Sequence, residues 1–590
     1  MLLYDPAIDE VLRAKPGTTN TPSGKSIPYP FPSPADWRDH WIYFLLVDRF
    51  NNPVAAPAPP GSPVNTYQGG NFAGIQAQLP YLQELGVTAI WISPVLINPQ
   101  WFTDYWGGYG IFDFMRIEPR FCSDPDAARL DATVGDREFR QLADEAHALG
   151  IHIILDIVLN HAGDLFNYEG MQDAAPWNNA GEYTVYWRNE DGVPQGNWNE
   201  VENIPHLSPL EGVWPQEIQH NKYFRRRGDV GGSGDLTKGD FSRLKEMVTE
   251  YQDPVTKQFP VRDILIRAYQ YLIAKFDLDG YRIDTLQYIE VDFSRVFGNA
   301  MREYAQSIGK KNFFTFGEVW NDDDEMQIAQ FIGRNTEKDG DFVGVDAAID
   351  FPMRKRLFSV CKGTGSPAEL AEHFDMRREL LKTIVSSHGD ASKYYVTFLD
   401  NHDVNGRFHD PASPGRTRIA FTCLIAMQGI SCLYYGTEQG LSGQGDRREY
   451  VRQALWGTPG IFNTGSEWYL FIRELSLVYA ANPALRYGRQ YFRPCSGNGV
   501  DFGYSPYQGG ILAFSRILNT TELLVVANTA TDQTITVQVV VDYNLHDAGK
   551  PWTVVFPAGY AGPAPGPTTL SGPYKTVSLT LAPMGYVILG

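Results

Sequence analysis

The chain has 590 residues, too many for one hydrophobic core, because single cores stop growing near about 250–300 residues. Hydrophobic residues make up 43% of the chain and charged residues 20%, an ordinary balance for a folded globular protein. The formal net charge of −19 repels phosphate backbones and anionic lipid headgroups. We therefore expect neither nucleic acid nor a membrane as a partner.

The first 36 residues are rich in proline and predict an extended N-terminal arm. The opening segment MLLYDPAIDEVLRAK has no basic region ahead of an apolar run, and no stretch approaches the ~18 apolar residues of a membrane span. The five cysteines are odd in number and form no CxxC pair, which favours buried free thiols and a reducing compartment. We expect a cytoplasmic protein, or a secreted one if a signal peptide has been removed.

From residue 37 to about residue 487, short apolar runs alternate with amphipathic helical stretches. Most of the runs are nearly continuous in apolar residues, as parallel strands buried on both faces should be. Eight such alternations predict a (β/α)₈ barrel, the TIM barrel of the α/β class. The predicted strands span residues 41–47, 87–93, 151–158, 280–284, 313–319, 342–351, 394–400 and 430–436.

Two segments lie outside this alternation. About 100 residues with little periodicity follow the third strand, and a structureless loop of that length is improbable in a compact domain, so we predict a small inserted domain. After residue 487, short alternating strands separated by turn residues predict a C-terminal antiparallel β-sandwich. The predicted divisions are an arm at 1–36, the barrel at 37–161 and 261–487, the inserted domain at 162–260, and the sandwich at 488–590.

Polar side chains follow four of the predicted strands at their C-terminal ends, where barrel active sites lie. Paired carboxylates suit cleavage of a glycosidic bond, and the alternative is a metal site that activates water. Because the histidines lack ligand-like spacing, a catalytic transition metal is the weaker interpretation. Arg282, on the same strand face as Asp284, can hold that carboxylate ionised, and Glu318 would need a raised pKa to act as an acid. The converging residues are Asp156, Asn160, His161, Arg282, Asp284, Glu318, Asp400, Asn401, His402 and Asp403.

The segments DIVLNH (156–161), GYRID (280–284), FGEVW (316–320) and FLDNHD (398–403) resemble the four signature regions of the α-amylase superfamily, glycoside hydrolase family 13. They occur in the family's order and on the matching strands, and the resemblance covers residues 37–590. It implies a retaining hydrolase that cleaves α-1,4-glucosidic bonds through a covalent glucosyl-enzyme intermediate. The implied substrates are maltooligosaccharides or starch-like α-glucans.

The resemblance also implies roles for single residues. Asp284 matches the nucleophile, Glu318 the general acid/base, and Asp403 the third carboxylate, which binds sugar hydroxyls. In a retaining enzyme, the two reacting carboxyl groups lie about 5–5.5 Å apart. Other residues match substrate-binding positions: Arg282 orients the nucleophile, His161 and His402 bind hydroxyls, Tyr109 stacks under the cleaved glucose, and Asp156 is mainly structural.

The family often holds a structural calcium between barrel and inserted domain, and no organic cofactor is implied. Asn160, Asp235 and the carbonyl of Tyr288 match the calcium ligands, and hard oxygen ligands suit that ion. Because a metal bound only to the native state stabilises it, a chelator is expected to lower the melting temperature.

Two departures from the family pattern bear on specificity. In the stretch Trp106-Gly107-Gly108-Tyr109, Gly107 replaces a histidine that usually contacts the cleaved glucose. Gln287 and Tyr288 replace a Lys-His pair that lines the leaving-group side, and we predict that both contact substrate. The departures leave open a transglycosidase on the same fold, in which a sugar hydroxyl replaces water. A binding domain that had lost catalysis would lack the catalytic carboxylates, and all three are present.

Overall fold

Eight parallel strands form the centre of the computed structural model, which describes residues 2–55, 65–104, 107–338, 342–386, 389–443, 448–458 and 460–590. Within these ranges the strands follow the hydrogen-bonded order six, five, four, three, two, one, eight, seven. A parallel bridge between Ile349 and Val396 joins the sixth strand to the seventh and closes the predicted barrel. In chain order the strands are Ile42–Leu45, Ala89–Ile92, His152–Val158, Gly280–Asp284, Phe314–Gly317, Ala347–Ala348, Val396–Thr397 and Ile430–Tyr434.

Helices surround the barrel and turn their apolar faces towards the strands. In the helix Pro260–Phe276, the buried residues Val261, Ile264, Leu265 and Ala268 recur at intervals of three and four. Pro260 stands at the first position of this helix. An N–H at that position would have no partner within the helix, so a proline there costs no helical hydrogen bond. The other main helices are Phe72–Ala77, Leu79–Leu85, Ala132–Ala148, Val291–Ile308, Phe351–Lys362, Pro367–Leu380, Pro414–Ala426 and Glu467–Ala481.

The segment after the third strand contains its own small sheet. Strands Phe166–Tyr168, Val185–Arg188 and Pro194–Asn197 pair antiparallel. Further along, the two-residue strand Lys245–Glu246 pairs antiparallel with His161–Ala162, directly after the third barrel strand. This pairing fixes the segment beside the C-terminal ends of the barrel strands, where the predicted site residues lie.

Two antiparallel sheets follow the barrel, as the sandwich prediction requires. Their inner faces share a cluster of buried apolar residues that includes Leu524, Val539 and Val577. One sheet contains Arg489–Phe492, Ile511–Leu518, Thr521–Asn528, Val554–Phe556 and Tyr586–Leu589; the other contains Cys495–Ser496, Ile535–Val541, Thr569–Ser571 and Tyr574–Leu581.

The N-terminal arm is more regular than the predicted extended segment. It contains a helix, Pro6–Leu12, and a hairpin of strands Gly17–Asn20 and Ser26–Tyr29. The hydroxyl of Tyr29 donates to the carbonyl of Ala274 at 2.8 Å, which fixes the hairpin to a barrel helix.

The cysteines and the helices of the described residues bear on two predictions from the sequence. The five cysteines all lie in this part of the chain and are unpaired, and four of them are buried. Among the described helices, none has the length and apolarity needed to cross a bilayer.

Candidate active site

One buried arginine connects the carboxylates at the base of the site. Arg282, fully inaccessible to solvent, donates from Nη1 to Asp284 at 2.8 Å and to Asp156 at 2.9 Å. Its Nη2 lies 3.1 Å from Oε1 of Glu318. These residues come from adjacent parallel strands. Arg282 on the fourth strand pairs in register with Asp156 on the third, and Ile283 pairs with Gly317 on the fifth, directly before Glu318. The predicted convergence of these residues is therefore present.

The environment of Glu318 favours its protonated form. Burial raises the pKa of Glu318 to about 8; Asp284 and Asp403 add to the rise, and Arg282 opposes it. The backbone N–H of Thr285 donates to Oε2 at 3.1 Å and fixes the side chain. A carboxyl group held protonated at neutral pH beside an ion-paired carboxylate has the properties of a general acid next to a nucleophile.

Asp156 supports the site from beneath. Its Oδ2 accepts hydrogen bonds from the hydroxyl of Tyr109 at 2.8 Å and from Nε1 of Trp91 at 3.0 Å. Burial raises the pKa of Asp156, and the adjacent Arg282 opposes that rise. Asp156 does not line the cavity, and its contacts position Tyr109 and Arg282, which agrees with a mainly structural role.

The opposite wall is formed by residues that follow the seventh strand. The ring of His402 stacks on that of Tyr109, with centroids 5.3 Å apart and an angle of 9° between the planes. Nε2 of His402 lies 3.0 Å from Oδ2 of Asp403, and Nη2 of Arg452 donates to Oδ1 of Asp403 at 2.8 Å. Of the other candidates in this loop, Asp400 accepts from the backbone N–H of Phe408 and serves the loop itself.

Asp284, Glu318 and Asp403 line a cavity of about 450 Å³, which is within the size range of small-molecule sites. The sequence indicated most of the lining, but gave no role to Phe241, Leu244, Thr285, Trp320 or Arg452. Phe241 and Leu244 come from the inserted segment and Arg452 from the loop after the eighth strand, so only the folded chain reveals them. The full lining is Tyr109, His161, Phe241, Leu244, Asp284, Thr285, Gln287, Tyr288, Glu318, Trp320, His402, Asp403 and Arg452.

The lining contains a polar group of residues and an aromatic group. Asp403, Arg452 and His402 contribute charge and hydrogen-bonding groups. In the aromatic group, the ring of Phe241 meets that of Tyr288 edge to face, with centroids 5.5 Å apart. Trp320 is 37% exposed and stacks on Phe351, with centroids 4.8 Å apart. Exposed aromatic faces of this kind can pack against the C–H faces of sugar rings.

The predicted calcium ligands do not form a suitable cage. Nδ2 of Asn160 donates directly to the carbonyl of Tyr288 at 2.9 Å, while its Oδ1 faces Nδ1 of His161 at 3.2 Å. Asp235 is exposed, accepts from the backbone N–H of Thr237 at 3.0 Å, and pairs with Lys238 at 3.1 Å. Calcium needs six or more oxygen ligands at about 2.3–2.6 Å, and this arrangement does not fit it. The described residues also contain no cluster of three acidic, histidine or cysteine side chains placed for a metal.

Basic side chains instead neutralise the acidic cluster beside this junction. Nζ of Lys245, fully buried, lies 3.5 Å from Asp240 and 3.9 Å from Asp164. Nη2 of Arg243 lies 2.7 Å from Asp164 and 2.9 Å from Asp173. Lys245 belongs to the strand that pairs with His161–Ala162, so its ion pairs lie inside the inserted segment, directly beside the point where that segment leaves the barrel.

Gly107, where this sequence departs from the family pattern, has a left-handed backbone conformation that a residue with a side chain rarely adopts. Its φ is +80°, and a Cβ at this position would lie 2.5 Å from the ring of Tyr109. A side chain here would therefore displace the aromatic ring that forms the floor of the cavity. Trp106, in the same stretch, lies outside the described residues.

Comparisons with known proteins agree with this architecture. The family model described as "Alpha amylase, catalytic domain" matches residues 44–455. An α-amylase from Streptomyces lividans is 27% identical over 553 residues, which cover 84% of this chain and 53% of that protein. A cyclomaltodextrin glucanotransferase from Geobacillus stearothermophilus is 25% identical and covers 76% of this chain and 55% of that protein. The chain thus spans about half the length of these curated relatives.

Solved structures share the fold across nearly the whole chain. An Anoxybacillus α-amylase has a TM-score of 0.64 at 24% identity and covers 94% of this chain and 98% of that one. The cyclomaltodextrin glucanotransferase CldA has a TM-score of 0.67 at 21% identity and covers 93% of this chain and 98% of that one. At these identities the likeness concerns the fold.

Proposed function

Because the chain belongs to the α-amylase family of glycoside hydrolases, we propose that it is a retaining enzyme that cleaves α-1,4-glucosidic bonds in maltooligosaccharides or starch-like α-glucans. The observation that carries the proposal is the contact of one buried guanidinium, that of Arg282, with both Asp284 and Glu318. This arrangement places a carboxylate that is ion-paired with arginine beside a carboxyl group whose pKa is raised.

The proposed reaction has two steps. In the first, a carboxylate oxygen of Asp284 attacks the anomeric carbon while Glu318 gives its proton to the glycosidic oxygen, so the leaving sugar departs as an alcohol. In the second, Glu318 takes a proton from water, whose oxygen displaces Asp284 and releases the sugar with its original anomeric configuration. Asp403, His402 and His161 would bind hydroxyls of the reacting glucose.

The raised pKa of Glu318 predicts an alkaline limit to activity. Only the protonated form can donate to the leaving oxygen, so kcat/KM should begin to fall near pH 8 and decrease about tenfold per pH unit above it. Measurement of kcat/KM against pH with maltoheptaose tests this expectation.

The control is Glu318→Gln, which should lose this pH dependence together with most of its activity on maltoheptaose. With α-glucosyl fluoride, whose leaving group needs no proton, first-turnover fluoride release should be much less impaired. An unchanged alkaline limit in Glu318→Gln would assign the titration to another group and contradict the role of Glu318.

Transfer to a sugar hydroxyl is the second candidate, and the aromatic group of the lining favours it. Phe241, Tyr288 and Trp320 provide aromatic rings where the leaving sugar of the first step would lie. An acceptor sugar packed there would exclude water from the anomeric carbon and present a hydroxyl in its place.

The size distribution of products from maltoheptaose distinguishes the two candidates. We expect only shorter products, with reducing ends increasing in proportion to bonds cleaved, as hydrolysis requires. Products longer than the substrate with few new reducing ends would indicate transfer. In that case Trp320→Ala should shift the ratio of transfer to hydrolysis towards hydrolysis, and Val296→Ala, an exposed apolar residue outside the cavity, should leave the ratio unchanged.

A further inference from the structure

A second cavity lies where the barrel meets the first C-terminal sheet. Its volume is about 350 Å³, and it shares no lining residue with the active site. The barrel helix Pro367–Leu380, the turn Ala391–Lys393 and the sheet strand Arg489–Phe492 form its walls. Its polar lining consists of Arg377, Arg378, Asp390, Ser392, Lys393, Gln428, Arg489 and Gln490.

Positive charge dominates this groove, although the whole chain carries a net charge of −19. Arg377 forms internal ion pairs with Glu325 and Asp350, so its guanidinium group is not available to a ligand. Arg378 is half-exposed and lies 3.4 Å from Asp375. Arg489 is exposed and makes no ion pair within the described part of the chain. The groove therefore presents guanidinium groups that remain open to a ligand.

The carboxylate in the lining does not cancel this charge. Oδ1 of Asp390 accepts from the backbone N–H of Ser392 at 3.1 Å and from its hydroxyl at 2.8 Å. Nζ of Lys393 lies 3.8 Å from Oδ2 of Asp390, beyond hydrogen-bond distance. The ammonium group of Lys393 thus has donors left for another acceptor.

A buried amide fixes the base of the groove and leaves one of its donors unpaired among the residues that the structure describes. Gln490 is 2% exposed, and its Oε1 accepts from the backbone N–H of Gln428 at 2.7 Å. This bond fixes the orientation of the amide, because an N–H donor must face the oxygen. Nε2 of Gln490 consequently has no hydrogen-bond partner among the described residues, and a buried donor left in that state is unfavourable.

We propose that this groove binds a phosphate group, either inorganic phosphate or the phosphate of a sugar phosphate. A phosphate presents only acceptors on its charged oxygens, which matches the donors of Lys393, Arg378 and Arg489. Arginine guanidinium groups suit its geometry because they donate two parallel hydrogen bonds. The proposal is independent of the reaction at the active site, since the two cavities share no residue.

The test is isothermal titration calorimetry of the full chain with sodium phosphate and, separately, glucose 6-phosphate, at ionic strength matched with sodium chloride. We expect saturable binding of at least one probe with a Kd below about 1 mM. The variant Arg378→Gln/Arg489→Gln should weaken that binding about tenfold or more, because two charge-assisted contacts are lost. Arg129→Gln, which changes an exposed arginine outside the groove, should bind as the unaltered chain does.

Tighter binding of inorganic phosphate or of glucose 6-phosphate would identify the source of the phosphate group, and either result supports the proposal. Absence of saturable heat with both probes overturns it. So does binding that is equally strong in Arg378→Gln/Arg489→Gln and Arg129→Gln. Melting curves of both variants without ligand show whether a loss of binding reflects misfolding, and Lys393→Gln provides a further groove variant if the double variant is unstable.

Discussion

Replacement of Asp284 by asparagine is expected to lower kcat on maltoheptaose by about 10⁴-fold or more, the scale on which loss of a covalent nucleophile acts. Asparagine keeps the shape of the side chain, and Arg282 retains its pairs with Asp156 and Glu318, so the fold should remain intact. Steady-state kinetics, with a melting curve of the same preparation, measure both effects.

Two further variants make the result specific. Asp235→Asn, at an exposed aspartate that does not line the cavity, should retain full activity. Asp284→Gly with added azide should form a β-glucosyl azide, because azide enters from the face that the carboxylate has left. Near-normal turnover in Asp284→Asn would refute the assignment of the nucleophile.

Replacement of Lys245 by methionine should be the most destabilising single change at the junction between barrel and inserted segment. It removes the ammonium group beside Asp240 and leaves that buried carboxylate without a cation, whereas Asp164 keeps its pair with Arg243; the expected loss is about 3–5 kcal/mol. Differential scanning calorimetry should record a lower melting temperature. Because protonation removes the uncompensated charge, the difference from the unaltered protein should shrink as the pH falls.

Lys238→Met is the matched control, since Lys238 forms an exposed pair with Asp235 that contributes little. The variant Lys245→Met/Asp240→Asn should recover part of the stability, because it removes a cation and an anion together. Equal melting temperatures for Lys245→Met and Lys238→Met would contradict the role given to Lys245.

A chelator provides an independent test of the same junction. Since internal cations neutralise the carboxylates, EDTA should leave the melting temperature unchanged and added calcium should not raise it. This differs from the expectation drawn from the family resemblance. A fall with EDTA that calcium reverses would restore the predicted metal and place its ligands somewhere other than at Asp235.

The barrel was predictable because parallel strands buried on both faces leave continuous apolar runs, as in IHIILDIV at residues 151–158. The sixth and seventh strands were predicted as longer segments and contain only two residues each, Ala347–Ala348 and Val396–Thr397. An apolar run indicates that a segment is buried. A buried segment is longer than its strand when only part of it forms hydrogen bonds with the neighbouring strands.

The N-terminal helix Pro6–Leu12 was missed although its start signal is present. The proline content predicts extended chain, but Pro6 follows Asp5, whose side chain caps the helix by accepting from the N–H of Ala7. Proline is favoured at the first position of a helix, although it disrupts the interior. The position of a proline relative to a capping residue was therefore the informative feature.

The reacting carboxylates were predictable from strand ends, whereas their partners across the cavity were not. Arg452 reaches Asp403 from a loop that begins after the eighth strand, and Phe241 approaches Tyr288 from the inserted segment. Neither contact has a sequence spacing that would indicate it. The same holds for Lys245, whose acidic neighbour Asp164 is far away in sequence.

The close approach of Gly107 to the ring of Tyr109 couples these two positions in any change of sequence. The histidine of the family pattern cannot be introduced at position 107 without displacing the ring of Tyr109, because its Cβ would occupy the space of that ring. Gly107→His should therefore cost activity, even though it restores a residue of the family pattern. An exchange of this loop would have to carry both positions together, so the two residues behave as one unit in the design of variants.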